Sequence, residues 1–136
     1  MDRIELKNRT KKFAIEVLKF VDGIPKTKAG AVIEYQLIKS GTSVGANYRS
    51  ACRSRTDADF ASRITICEEE ADECAYWFEI IEQTGMKCDG VKPLWKEANE
   101  LTAIFAASAI TVRNKLKNSQ NYKGINKKSE IQNHKS

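Results

Sequence analysis

The densest chemistry in the sequence is an acidic run, Glu68-Glu69-Glu70-Ala71-Asp72-Glu73. Carboxylates at this density suit a di-metal site in a helical bundle, where inward glutamates are joined by a Glu-x-x-His pair on each of two helices. That partner is missing, because the sole histidine is His134 in the C-terminal tail. A solvated or ion-paired face is the plainer reading of the run, and no metal site is expected. The four cysteines, Cys52, Cys67, Cys74 and Cys88, form no CxxC pair. Cys67 and Cys74 stand two helical turns apart, roughly 10 Å, too far to bridge within one helix. Free thiols in a reducing compartment follow. Serine and cysteine nucleophiles lack a histidine base within the fold, and no glycine-rich phosphate loop follows a strand. The expectation is therefore a chain with no catalytic residues, no cofactor and no small-molecule substrate.

The elements that would position any site are helical. With 136 residues, 41% of them hydrophobic, the chain suits a single domain with one core. Phe13, Val17, Phe20 or Val21 and Ile24 follow helical spacing, which Gly23 and Pro25 end. A second helix is expected from about residue 29 to 54, on the stripe Leu37, Gly41, Val44, Tyr48 and Cys52. Thr56 caps a third, with Asp57 and Asp59 in its first turn, where the helix dipole favours acids. Its seam of Phe60, Ile64, Cys67, Ala71, Cys74, Phe78 and Ile81 alternates four and three residues, the pattern of a left-handed bundle. Gly85 closes it. Leu94, Ala98, Leu101, Phe105, Ser108 and Val112 mark a fourth helix that starts near Pro93 and is expected to end near Leu116. Short connections imply antiparallel neighbours, hence an all-α, up-down-up-down four-helix bundle over residues 1–116. Residues 117–136 hold too few apolar side chains to bury and read as a disordered basic tail.

The second helix is unusual because its middle is cleared of large side chains at Ser40, Gly41, Ser43, Gly45 and Ala46. Glycine costs a helix roughly 1 kcal/mol relative to alanine, so close packing of another element must compensate. The acidic third helix is the expected neighbour. In a hairpin turning near Thr56, residues whose numbers sum to about 112 face one another. That sets Lys39 opposite Glu73, Thr42 opposite Glu70, Ser43 opposite Glu69 and Tyr35 opposite Trp77. Thr42, Ser43 and Asn47 are thus expected to form a polar network with Glu69, Glu70 and Glu73.

Charge is unevenly placed. Residues 1–55 carry twelve Lys or Arg against five acids, and residues 56–86 one Arg against nine. The tail adds five lysines and one glutamate, so the bundle proper is nearly neutral. Lys11, Lys12, Arg49, Arg53 and Arg55 are candidate phosphate contacts for RNA or DNA, although a surface paired with the acids of the third helix is the plainer reading. Ile66, Trp77 and Ile80 form a second apolar stripe off the seam, suited to a subunit interface. No stretch approaches the ~20 apolar residues needed to cross a bilayer, and Met1-Asp2-Arg3-Ile4-Glu5 does not open a signal peptide, so a cytoplasmic protein without membrane contact is expected.

Two separated motifs carry a resemblance: Thr42-Ser43-Val44-Gly45-Ala46-Asn47-Tyr48-Arg49, and the run 68–73 followed by Tyr76 and Trp77. Over roughly residues 10–115 the chain resembles the bacterial four-helix-bundle proteins encoded in intervening sequences of 23S ribosomal RNA genes. The resemblance implies an antiparallel subunit that assembles into a homopentamer, with no catalytic residues. Relatives include the accessory variability determinants of diversity-generating retroelements, which the resemblance presents as basic pentamers binding nucleic acid and a reverse transcriptase. Gly41 and Cys74 stand where Ala and Ser are expected in the family.

Overall fold

The computed structural model describes residues 1–86 and 88–135, leaving out the side chains of 129–135. Four helices follow in order, α1 (Arg3–Val21), α2 (Lys28–Cys52), α3 (Asp57–Gln83) and α4 (Val91–Lys135), with no strand among the described residues. Their starts are written in side-chain caps. Asp2 accepts a hydrogen bond from the Glu5 amide at 2.8 Å, Thr27 from Gly30 at 3.0 Å and Thr56 from Asp59 at 3.1 Å. Each cap satisfies an amide that the first helical turn leaves without a partner. Past the end of α3, Gly85 takes φ 71°, a left-handed conformation that glycine adopts without a side-chain clash.

Packing runs from α1 to α2, from α2 to α3 and from α3 to α4, while α1 and α4 meet sparingly. Arg9 bridges α1 to α4, its guanidinium donating to Glu97 at 2.9 Å and to Glu100 at 2.6 Å. The core follows the heptad seam. Val17, Leu37, Val44, Ile64, Phe78, Ile81, Leu101 and Phe105 are all fully buried. Phe20 meets Phe78 edge-on at 5.5 Å, and Tyr48 tilts against Phe105 at 5.6 Å. Aromatic contacts of this kind add about 1 kcal/mol each beyond area burial.

Two expectations about α4 change. Its seam passes through Ala109, which is buried, while Ser108 is only partly covered. The step from Phe105 is four and then three, which sends a methyl instead of a hydroxyl into the core. The helix also continues beyond Leu116 to Lys135, since no proline interrupts it. Residues 117–128 are exposed throughout and add nothing to the core, in keeping with their composition. Among the described residues, no helix is long and apolar enough to cross a membrane.

Candidate polyanion groove and assembly face

The cleared stripe of α2 does receive a close neighbour, but that neighbour is α1. A Cβ at Gly41 would lie 2.8 Å from Val17 Cγ1, and one at Gly45 would lie 3.3 Å from the backbone of Thr10. Thr10 itself is fully buried, its hydroxyl donating back to the carbonyls of Leu6 at 2.9 Å and Lys7 at 3.0 Å. The helix α3 packs against the adjoining face. Cys74 Sγ donates to Ser40 Oγ at 3.2 Å and Cys67 Sγ to the Val44 carbonyl at 3.6 Å. These pairs lie close to the predicted register, so the hairpin ruler holds while the glycines point elsewhere. Gly41 and Gly45 flank the line through Ser40 and Val44, and a rotation of about 100° per residue gives adjacent positions different neighbours.

The hydroxyls expected to meet the carboxylates turn back onto their own helix. Thr42 donates to the Ile38 carbonyl at 2.7 Å, Ser43 to Lys39 at 2.6 Å, and Asn47 Nδ2 to Ser43 at 2.8 Å. No hydrogen bond among the described residues links Thr42, Ser43 or Asn47 to Glu69, Glu70 or Glu73. A backbone carbonyl one turn back is always within reach of a short side chain, whereas a facing carboxylate must be held in place by ordering its rotatable bonds. Glu70 Oε2 is left shielded from water with no hydrogen-bond partner. Burial raises the Glu70 pKa, Glu73 and Glu69 add to the rise, and Lys39 opposes it.

Along α3, the shielded polar atoms without a hydrogen bond are Arg63 Nε, which has only an ion pair with Asp59 at 3.5 Å, Glu70 Oε2 and Trp77 Nε1, each seven residues from the next. They mark one line beside Ile66 and Ile80. Ile66 is 38% exposed, while Trp77 and Ile80 are half-buried against the core. Seven-residue spacing keeps a helix facing one direction, and this direction is not the seam. Sequence reasoning found Ile66, Trp77 and Ile80 from their apolar character. It missed the polar line, because which polar atoms are covered depends on how the neighbouring side chains fold over them.

A second face lies over the α1–α2 contact. Because Ala14, Gly45 and Ala46 have little or no side chain, the two helices leave an open groove of about 460 Å³ between them. Lys7 and Lys11 on α1, Arg49 on α2 and Arg53 at the C-cap of α2 rim it, with Asn8 and Thr42 beside them. No carboxylate lines it. All four cations are exposed, and none forms an ion pair among the described residues. The expected pairing with α3 acids is therefore absent for Lys11, Arg49 and Arg53, since α1 and not α3 borders this side of α2. Lys12 lies outside the groove and approaches Glu16 at 3.9 Å. Arg55, beyond the end of α2, is exposed and does not line the groove. Lys7 was missed, although it stands one turn before Lys11, because its role depends on which helix lies across from it.

Two of the four thiols, Cys67 and Cys74, are buried in the core. Burial pushes Cys67 and Cys74 up to about 12, far above the range of a nucleophile. Among the described residues, no group of three or more His, Cys, Asp or Glu is placed to hold a metal ion.

Fold and faces together define a small all-helical bundle protein. The family model of the 23S rRNA-intervening sequence proteins matches residues 2–107, and the chain belongs to that family. No curated protein matches it. Among solved structures, it is similar to a protein of unknown function from the S23 ribosomal protein family of Bacteroides thetaiotaomicron. That likeness has 25% identity and a TM-score of 0.68, covering 76% of this chain and 96% of the other.

Proposed function

We propose that the chain is a non-enzymatic, homo-oligomeric scaffold or adaptor of the cytoplasm, pentameric as its family resemblance implies. The observation that carries this reading is the line of Arg63, Glu70 and Trp77 beside Ile66 and Ile80 on α3. A shielded polar atom without a partner costs about 1 to 3 kcal/mol. Glu70 and Trp77, seven residues apart beside an apolar stripe, fit a face completed by a second copy of the chain. Light scattering at micromolar concentration tests it, with the mass of five chains expected. Ile66→Lys, at an exposed position, should shift that mass toward one chain while leaving the helical circular dichroism unchanged. A wild-type monomer would refute the reading.

A second reading, a nucleic-acid-binding accessory protein that acts with RNA, DNA or a reverse transcriptase, is favoured by one observation. Lys11, Arg49 and Arg53 converge on a groove and have no ion partner.

A further inference from the structure

We infer that the α1–α2 groove binds the sugar-phosphate backbone of nucleic acid without reading its sequence, an inference that rests on the second reading above. The groove combines three properties that are independent in the sequence. First, its rim carries four exposed cations and its lining no carboxylate, so its charge is not cancelled locally. An ordinary protein surface mixes both signs, and this chain does so elsewhere, as at Arg63 with Asp59 and Lys115 with Asp57.

Second, the cations come in pairs. Lys7 and Lys11 stand one turn apart on α1, about 6 Å along its axis, and Arg49 in the last turn of α2 is followed by Arg53 at its C-cap. Two such rows flanking a trough fit a string of charges better than a single small anion, for which cations would have to converge on one point. Third, the floor is built of Ala14, Gly45 and Ala46, which leaves room for a chain to settle between the rows. The same small residues that let α1 approach α2 thereby create the trough.

The chemistry of the lining also limits what is read. No aromatic side chain borders the groove, so bases have nothing to stack on. Lysine and arginine on phosphate oxygens position a nucleic acid but carry no sequence information. Binding should therefore be indifferent to sequence and governed by counterion release.

The test uses the full chain and fluorescence anisotropy with two labelled DNA duplexes of equal length and unrelated sequence. Affinity should match within about twofold between them and should fall with salt at a log–log slope of about −3 to −4 for four neutralised phosphates. K11E/R49E should weaken binding at least tenfold and flatten the slope by about 2, one unit for each phosphate no longer neutralised. Ala46→Trp, at an exposed position, fills the floor without changing any charge and should weaken binding comparably, with circular dichroism checking the fold of both variants. Replacing Lys117, Lys123, Lys127 and Lys128 by Gln should leave affinity within about twofold. The groove assignment is overturned if the tail variant loses binding while the groove variants keep it. A preference of tenfold or more for one duplex overturns the sequence-indifferent part, and polyglutamate competing as well as unlabelled DNA would make the occupant an acidic protein segment. No duplex binding at low salt would refute the nucleic-acid reading itself and leave the assembly reading untouched.

Discussion

Gly41 of α2 faces Val17 of α1 so closely that a Cβ added at Gly41 would lie 2.8 Å from Val17 Cγ1. Val17 is fully buried and β-branched, so it has no flexible end to swing away. Gly41→Ala therefore sets a helix-propensity gain of about 1 kcal/mol against overpacking of about 1 to 3 kcal/mol. A net loss on the order of 1 kcal/mol is expected from urea unfolding. In a Val17→Ala background, Gly41→Ala should cost less, with a coupling of at least about 0.5 kcal/mol in the double-mutant cycle.

Arg9 offers a second measurement. Its side chain is 26% exposed and spans Glu97 and Glu100, so removing it should weaken the seam between α1 and α4 by about 1 kcal/mol after allowance for solvent screening. Arg9→Met, which retains the apolar stem, should show this loss in denaturant melts. High salt should narrow the difference from wild type.

Thiol reactivity separates the cysteines by burial. At pH 8, Cys67 and Cys74 are almost wholly protonated, because burial pushes both thiols up to about 12. A chromogenic disulfide reagent should titrate at most Cys52 and Cys88 in the folded protein, and all four after denaturation. Fast labelling of more than two native thiols would contradict the packing of α2 on α3.

Glu70 gives a pH dependence of fixed sign. Its folded pKa is raised, by burial first, so the folded state holds the proton more tightly than the unfolded state. The associated stability is present in full below about 4.5, the ordinary glutamate value, and is lost as pH rises through the folded value. In the Ile66→Lys background, where the chain stands alone, Glu70→Gln should remove this fall and unfold at a higher temperature than its Glu70 parent at pH 7. A Gln variant less stable than that parent would show that the carboxylate has a partner within the chain.

Much of the bundle was legible because heptad spacing and capping residues are local signals. The Thr56 cap, the seam from Ile64 to Ile81 and the stop at Gly85 all follow from residues within a few turns of one another. Partner assignment was harder. Gly41 and Gly45 announced a close approach, but a glycine does not record which neighbour uses the space. Once α1 takes that place, Lys11, Arg49 and Arg53 fall on a groove instead of against α3, and Lys7 joins them. The Ser108 to Ala109 shift and the continuation of α4 past Leu116 turn on small differences in helix phase and propensity, which a periodic pattern does not resolve. The hydroxyls of Thr42 and Ser43 were misassigned because facing in a helical register is necessary for a hydrogen bond but not sufficient.

The sparse meeting of α1 with α4 has a dynamic consequence. The first helix has one extensive neighbour, α2, with the Arg9 clamp to α4 and the Phe20–Phe78 contact to α3 as its lesser ties, so it is the element that can peel away while the other three stay together. In hydrogen–deuterium exchange, its backbone amides should lose protection ahead of those in α2 and α3, well before global unfolding. Each such opening would part Lys7 and Lys11 from Arg49 and Arg53. A bound strand lying across both helices would hold that door shut, and the slowing of α1 exchange would report its presence.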